Sequence, residues 1–383
     1  MPNRIIGIDI ARAVAILLVT WKHSMASFGA RGLLDGWAGN SLEFLMQLAT
    51  PTFLILFGVM LELVYRPRFE RGLQQETACR LYKRALQCYG YYCLAIVVFF
   101  VLMGTYSAKS LPLVFTGFIS VPYSHLLAFY TAALALAPLL ILVRIRFGLT
   151  VLIGLAICVH LAHPVFRSLP PAPELFGRDY LQHMSGFLYG RGVDFIGPSL
   201  VHGLTIVCFG MLFGYGLRKA QNGPRAFVSV PKIPLAMAGV CAVIMACYWN
   251  WQDPMETLQT LLSADLRIES HPLYFSIGVL GTLILTCAFI LLNDVCGLRF
   301  GHSLQVFGRR SLFAFGIGNI AAYIAPPALA QWAGIWGAVT ILFLVVCILT
   351  VLYDLVEQRG WKQRVLITVR SVNWSKHFPQ TYL

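Results

Sequence analysis

Long apolar runs recur from one end of the chain to the other, separated by short polar or basic segments. They lack the two-residue alternation of a strand, and most are long enough for a helix to cross a bilayer. Ten such runs are read, at residues 5–27, 42–64, 86–104, 124–143, 147–163, 200–217, 233–250, 273–293, 308–328 and 333–354. A membrane β-barrel would need short alternating segments instead. The predicted fold class is therefore all-α, a polytopic transmembrane helix bundle of about ten spans. The fifth run, between Arg146 and Pro164, is short for a span. The stretch 111–121 is too short to cross and reads as a re-entrant or interfacial segment. Residues 1–356 form one predicted transmembrane domain, and 357–383 a basic cytoplasmic tail.

Composition agrees with that pattern. Of 383 residues, 58% are hydrophobic and only 12% charged, which excludes a soluble globular enzyme and a disordered chain. The net charge of +13 would suggest nucleic acid in a soluble protein. Here it follows topology. With the N-terminus placed in the cytoplasm, most Lys and Arg fall in inner segments, and only Arg31, Lys109, Arg167, Arg178, Arg191 and Arg267 fall in outer loops. Both termini are then cytoplasmic, and no nucleic-acid partner is expected. The ten cysteines lie in or near apolar runs and form no CxxC pair, so neither a metal site nor a redox motif is expected. The first run carries Asp9 and Arg12 and does not read as a cleavable signal peptide.

The informative exception is the first span, RIIGIDIARAVAILLVTWKHS. A charge inside a span costs about 2.5–3.5 kcal/mol on insertion scales, so it normally faces the bundle interior. At 100° per residue Arg12 and His23 share one helix face and stand roughly 16 Å apart along the axis. Asp9 is within reach of Arg12 at i, i+3 and is expected to pair with it. Lys22 points elsewhere and reads as a residue reaching for the interface.

This segment resembles the N-terminal signature of the acyltransferase 3 family of integral-membrane acyltransferases: an acidic residue, then Arg, then His eleven positions on, here Asp9, Arg12 and His23. Three further stretches are similar to that family. They are TPTFLILFGVMLELVYRPRF at 50–69, CRLYKRALQCYGYY at 79–92 and FGRRSLFAFGIGN at 307–319. The last, with PYSHLLAFYTAALALAPLL at 122–140, lies nearest the branch that includes periplasmic-glucan succinyltransferases. Two departures are Phe57-Gly58 in place of Ser-Gly, and Gly318 where many members have His.

The resemblance implies an O-acyltransferase of a bacterial inner membrane. It would move an acetyl or succinyl group from acyl-coenzyme A to a glycan or other envelope acceptor, with no metal. His23 is the expected base, because an imidazole titrates near physiological pH. Arg12 and Asp9 complete the catalytic group. Arg71, Arg80, Lys83 and Arg84 are the expected cradle for the donor's phosphates. His125, Tyr130, Tyr189 and Arg191 are the expected acceptor contacts, with His160, His163 and His202 flanking the same outer loop. Asn319 and Tyr323 read either as cavity lining or as contacts between helices. The competing reading is a transporter or flippase of a glycan or lipid-linked substrate, for which intramembrane charge would line a path. Against it, the charges concentrate in one helix and no inverted halves are evident. The lipid bilayer is an expected partner under either reading, and the oligomeric state is left open.

Overall fold

The computed structural model describes residues 4–34, 36–103, 115–116, 121–174, 180–190, 197–221, 232–262 and 265–358. Among these the regular structure is entirely helical. In chain order the helices are α1 (Ile6–Ser27), α2 (Gly36–Gln47), α3 (Ala49–Met60), α4 (Arg66–Glu70), α5 (Gln74–Met103), α6 (His125–Leu161), α7 (His163–Ser168) and α8 (Tyr180–Tyr189). They continue as α9 (Leu200–Gln221), α10 (Lys232–Tyr248), α11 (Pro254–Leu262), α12 (Asp265–Ile268), α13 (Pro272–Ile290), α14 (Gln305–Arg309), α15 (Ser311–Ile324) and α16 (Pro327–Gln358). A π-helical turn at Leu61–Tyr65 joins α3 to α4, and another at Leu291–Val295 ends α13.

Helices overlap each of the ten predicted runs, yet among the described residues six helical stretches are long and apolar enough to cross a membrane, one of them Gly36–Glu70, which runs through α2, α3 and α4. Three physical reasons account for the difference. The helix α1 has the length, about 33 Å at 1.5 Å per residue, but carries Asp9, Arg12 and Lys22. The apolar helices α10 and α15 are shorter than a span. Finally, α6 holds two predicted runs, 124–143 and 147–163. Gly148, at φ 85° and ψ 173°, breaks its helical path in a conformation that suits glycine. Before the break, Phe129 packs on Gly203, and Arg144 lies 5.7 Å from the centre of the Tyr215 ring. After it, His160 meets Thr205 at 2.7 Å. The chain thus follows α9 one way and returns, so α6 is a hairpin of two legs. Gly334, at φ 70° and ψ 165°, likewise breaks the helical path of α16.

The central helix is α1. Ala11, Ala13 and Ala15 are buried along it, and it packs against α3, α13, α14, α15 and α16. Small residues let those neighbours approach closely. Its first turn leaves backbone N–H groups unpaired. Asp294, on the second π turn, accepts from Ile6 N and Gly7 N at 2.8 Å each and so caps it. Between α3 and α9 the backbones touch at Gly58 and Gly210, where any side chain would collide with the facing carbonyls.

Charge sorts to two ends. At one, the basic end, lie Arg4, Arg66, Arg144, Arg218, Arg309 and Arg310. At the other lie Lys22, Arg31 and Glu43, with the histidines of α7 and α9 and His271 before α13. All ten cysteines are free.

Candidate functional site

A cavity of about 220 Å³ lies beside the middle of α1. Its lining includes Arg12 and Ile16 from α1, and Phe53, Phe57 and Met60 from α3. Tyr65, Arg84, Cys88, Leu126, Leu127, Tyr130 and Leu134 continue the wall. Arg309, Ser311, Leu312 and Phe315 close it from α14 and α15. Three arginines therefore converge on an otherwise mostly apolar space. Arg309 is tied to Asp354 at 3.0 Å. Arg12 and Arg84 have no ion pair or hydrogen bond among the described residues. Tyr130 is fixed by donating its hydroxyl to Phe53 O at 2.8 Å and by its ring against Phe57 at 5.5 Å.

His23 lies three turns further along α1, beyond the cavity. Phe315 links the two: it lines the cavity, and its ring centre is 5.9 Å from that of His23. The Tyr123 ring also packs against the imidazole, with ring centres 4.7 Å apart. Asn319 lies against the same ring. Its Nδ2 donates to Tyr123 O at 3.0 Å, and its buried Oδ1 has no hydrogen-bond partner among the described residues. Tyr323 donates to Pro122 O, so both polar groups of α15 hold the 122–123 segment in place.

The remaining expected residues are dispersed. Asp9 does not pair with Arg12. It binds Arg4 at 2.5 Å, because helical side chains lean toward the N-terminus and Asp9 reaches back over the first turn. Gly308 packs directly on the Asp9 backbone, which leaves Arg12, one turn on, turned into the cavity. Of the expected donor cradle, only Arg84 lines the cavity. Arg80 and Arg68 share Glu76, while Arg71 and Lys83 are exposed on the surface. His125 stands near His23 on the first leg of α6. Tyr189 stacks on Phe166 at 6.3 Å and is remote from the cavity lining. Arg191 lies outside the described residues, as do nearly all of 111–121 and of the tail. His160, His163, His202 and His271 form a separate group with ring centres 5.3–6.2 Å apart. Burial, together with the charges of His163 and Arg167, holds His271 down to about 4, so it is neutral at neutral pH. No three described His, Cys, Asp or Glu residues are placed to hold a metal ion.

Spacing alone did not reveal Arg309, Ser311 and Phe315, because they come from the far end of the chain. The signal was the segment FGRRSLF, in which charge runs directly into an apolar helix.

The fold and this site define an integral membrane protein, all-helical in its described parts, with an open cavity lined by three arginines beside a charged central helix. Residues 4–120 match the model of a family described as OpgC protein. The matched stretch contains Arg12, His23 and Arg84. Among curated proteins, none matches the chain.

Proposed function

We propose that the protein is a membrane-embedded O-acyltransferase that moves an acyl group from acyl-coenzyme A to a hydroxyl of an envelope glycan. The observation that carries this reading is the axis from the Arg12–Arg84–Arg309 cavity through Phe315 to His23. The match to the OpgC protein family and the resemblance to acyltransferase 3 proteins support it. The branch with glucan succinyltransferases suggests the acceptor class.

The donor enters at the basic end. A cavity of about 220 Å³ is below the ~300–1,000 Å³ of drug-sized pockets, so it takes the narrow thioester arm and leaves the nucleotide outside. Arg84 and Arg309 meet phosphate oxygens at the mouth, and Arg12 meets the polar arm within. On the other side, His23 Nδ1 or Nε2 takes the proton of the acceptor hydroxyl. The hydroxyl oxygen bonds to the thioester carbonyl carbon, the carbon–sulfur bond breaks, and the departing thiolate receives the proton from the imidazolium. Tyr123 and Phe315 keep water from the ring. In this reading the basic end faces the cytoplasm and the acceptor arrives from outside the inner membrane.

The test is transfer by purified protein in lipid vesicles, supplied with acyl-coenzyme A and a glucan. Thiol release that depends on the glucan and yields an acylated product is expected. No donor binding and no transfer would overturn the reading. Cysteines introduced one at a time into a cysteine-free protein check the orientation: labels at 164–168 should react from outside intact cells, and labels at 71–83 should not.

A further inference from the structure

The His23 side of the site holds a cation that none of the chemistry above uses. Arg267 sits on the short helix α12, in the loop between α11 and α13. It lies within electrostatic reach of Lys22, His23 and His125. Its side chain is partly exposed, but its Nε is buried, and that nitrogen has no hydrogen-bond partner. No described residue forms an ion pair with it. Burial pulls its guanidinium below the usual arginine range, Tyr274 and Glu43 act against that pull, and the Arg31 charge adds to it.

The nearby acids are committed elsewhere: Asp265, two residues before Arg267 on α12, is exposed and forms no ion pair with it. Glu43 Oε1 accepts from Lys22 Nζ at 2.9 Å and from Arg31 Nη2 at 2.7 Å, with Gln47 Nε2 at 3.3 Å. Its Oε2 is buried without a partner. Even if Arg267 swung to that oxygen, three cations would share one carboxylate. Glu269, on the same loop, is bound by Arg167 at 2.7 Å. A cation with a buried, unpartnered Nε, set among Lys22 and Arg31 and without a counter-charge among the described residues, fits a resident anion better than charge that appears only in the transition state.

We infer that Arg267 is a specificity residue which binds an anionic substituent, a carboxylate or phosphate, on the substrate occupying the His23 side. This rests on the acyl-transfer reading and deepens it. The donor's own phosphates do not meet this need, because they are expected at Arg84 and Arg309, on the far side of the cavity from His23. Two sources present the same chemistry: the acceptor glycan, or the far end of the acyl chain.

The experiment compares matched pairs in vesicles. One pair is two acceptor oligosaccharides that differ by a single carboxylate, with one donor. The other is a simple and a carboxyl-terminated acyl-coenzyme A, with one acceptor. The readout is the ratio of kcat/KM for the anionic over the neutral member. The intact protein is expected to favour the anionic member of one pair, which names the source. Arg267→Gln is expected to shrink that ratio by about tenfold to a hundredfold, the worth of one charge-assisted hydrogen bond. Arg267→Lys should restore part of it. A merely structural role would lower both members together and leave the ratio unchanged, and that result overturns the inference. So does an intact protein with no preference in either pair, a measurement that needs no variant. Absence of all transfer by the intact protein would instead remove the acyl-transfer reading and this inference with it.

Discussion

Two groups of arginines approach the same basic end of the molecule and meet opposite surroundings. Around Glu62, which is fully buried, stand Arg66, Arg144 and Arg218. Arg144 binds it through Nε at 3.2 Å and Nη2 at 3.3 Å, and Arg218 approaches to 3.3 Å. Arg66 also binds Glu70 at 2.6 Å. Both Arg144 and Arg218 lie near the Tyr215 ring, at 5.7 and 5.9 Å. This group ties α4, the first leg of α6 and α9 together with its own acids. In the cavity, Arg12 and Arg84 have no acid among the described residues. Charge that is matched inside the protein holds helices. Charge left unmatched beside a space is available to a ligand.

Substitutions separate the two groups. The largest effect is expected at the cavity axis: Arg12→Ala and His23→Ala should each lower transfer at least a hundredfold at unchanged melting temperature in detergent. Transfer rate and melting on the same preparations check this. Glu62→Gln should do the reverse. It leaves three arginines around a neutral side chain, and should cost about 3–5 kcal/mol of stability, read as a lower melting temperature, while surviving folded protein still turns over. Arg84→Ala should raise KM for the acyl donor about tenfold with kcat little changed. The smallest effect belongs to Arg80→Ala. Its exposed pair with Glu76 is worth at most about 1 kcal/mol, so the donor KM should stay within about twofold. If Arg80 and Arg84 responded alike, the distinction between paired and unpaired cations would fail.

Much of the fold was legible because its signals are local. Apolar run length marks the helices, and Arg144 and Arg146 separate the fourth run from the fifth close to the break at Gly148, whereas the break at Gly334 falls inside a predicted run. The Arg12–His23 face follows from helical periodicity within one element, and the structure keeps both on the path through Phe315. Partnerships across the chain were not legible. Asp9 faces Arg12 on a helical wheel, yet the lean of its side chain and the packing of Gly308 give it to Arg4. The run from Arg66 to Arg84 reads as one basic patch, but Glu62, Glu70 and Glu76 claim Arg66, Arg68 and Arg80, and only Arg84 reaches the cavity. Arg267 looked like one of six basic residues in outer loops, because loop sequence does not show which charges fold inward.

The most direct test of the Arg12–His23 axis is a mass measurement of envelope glycans from cells carrying the parent protein, Arg12→Ala or His23→Ala, each present in the membrane at the parental level. The parent should add a discrete acyl mass to a glycan, and both variants should lack it. The same acyl mass on glycans from both variants would contradict the account.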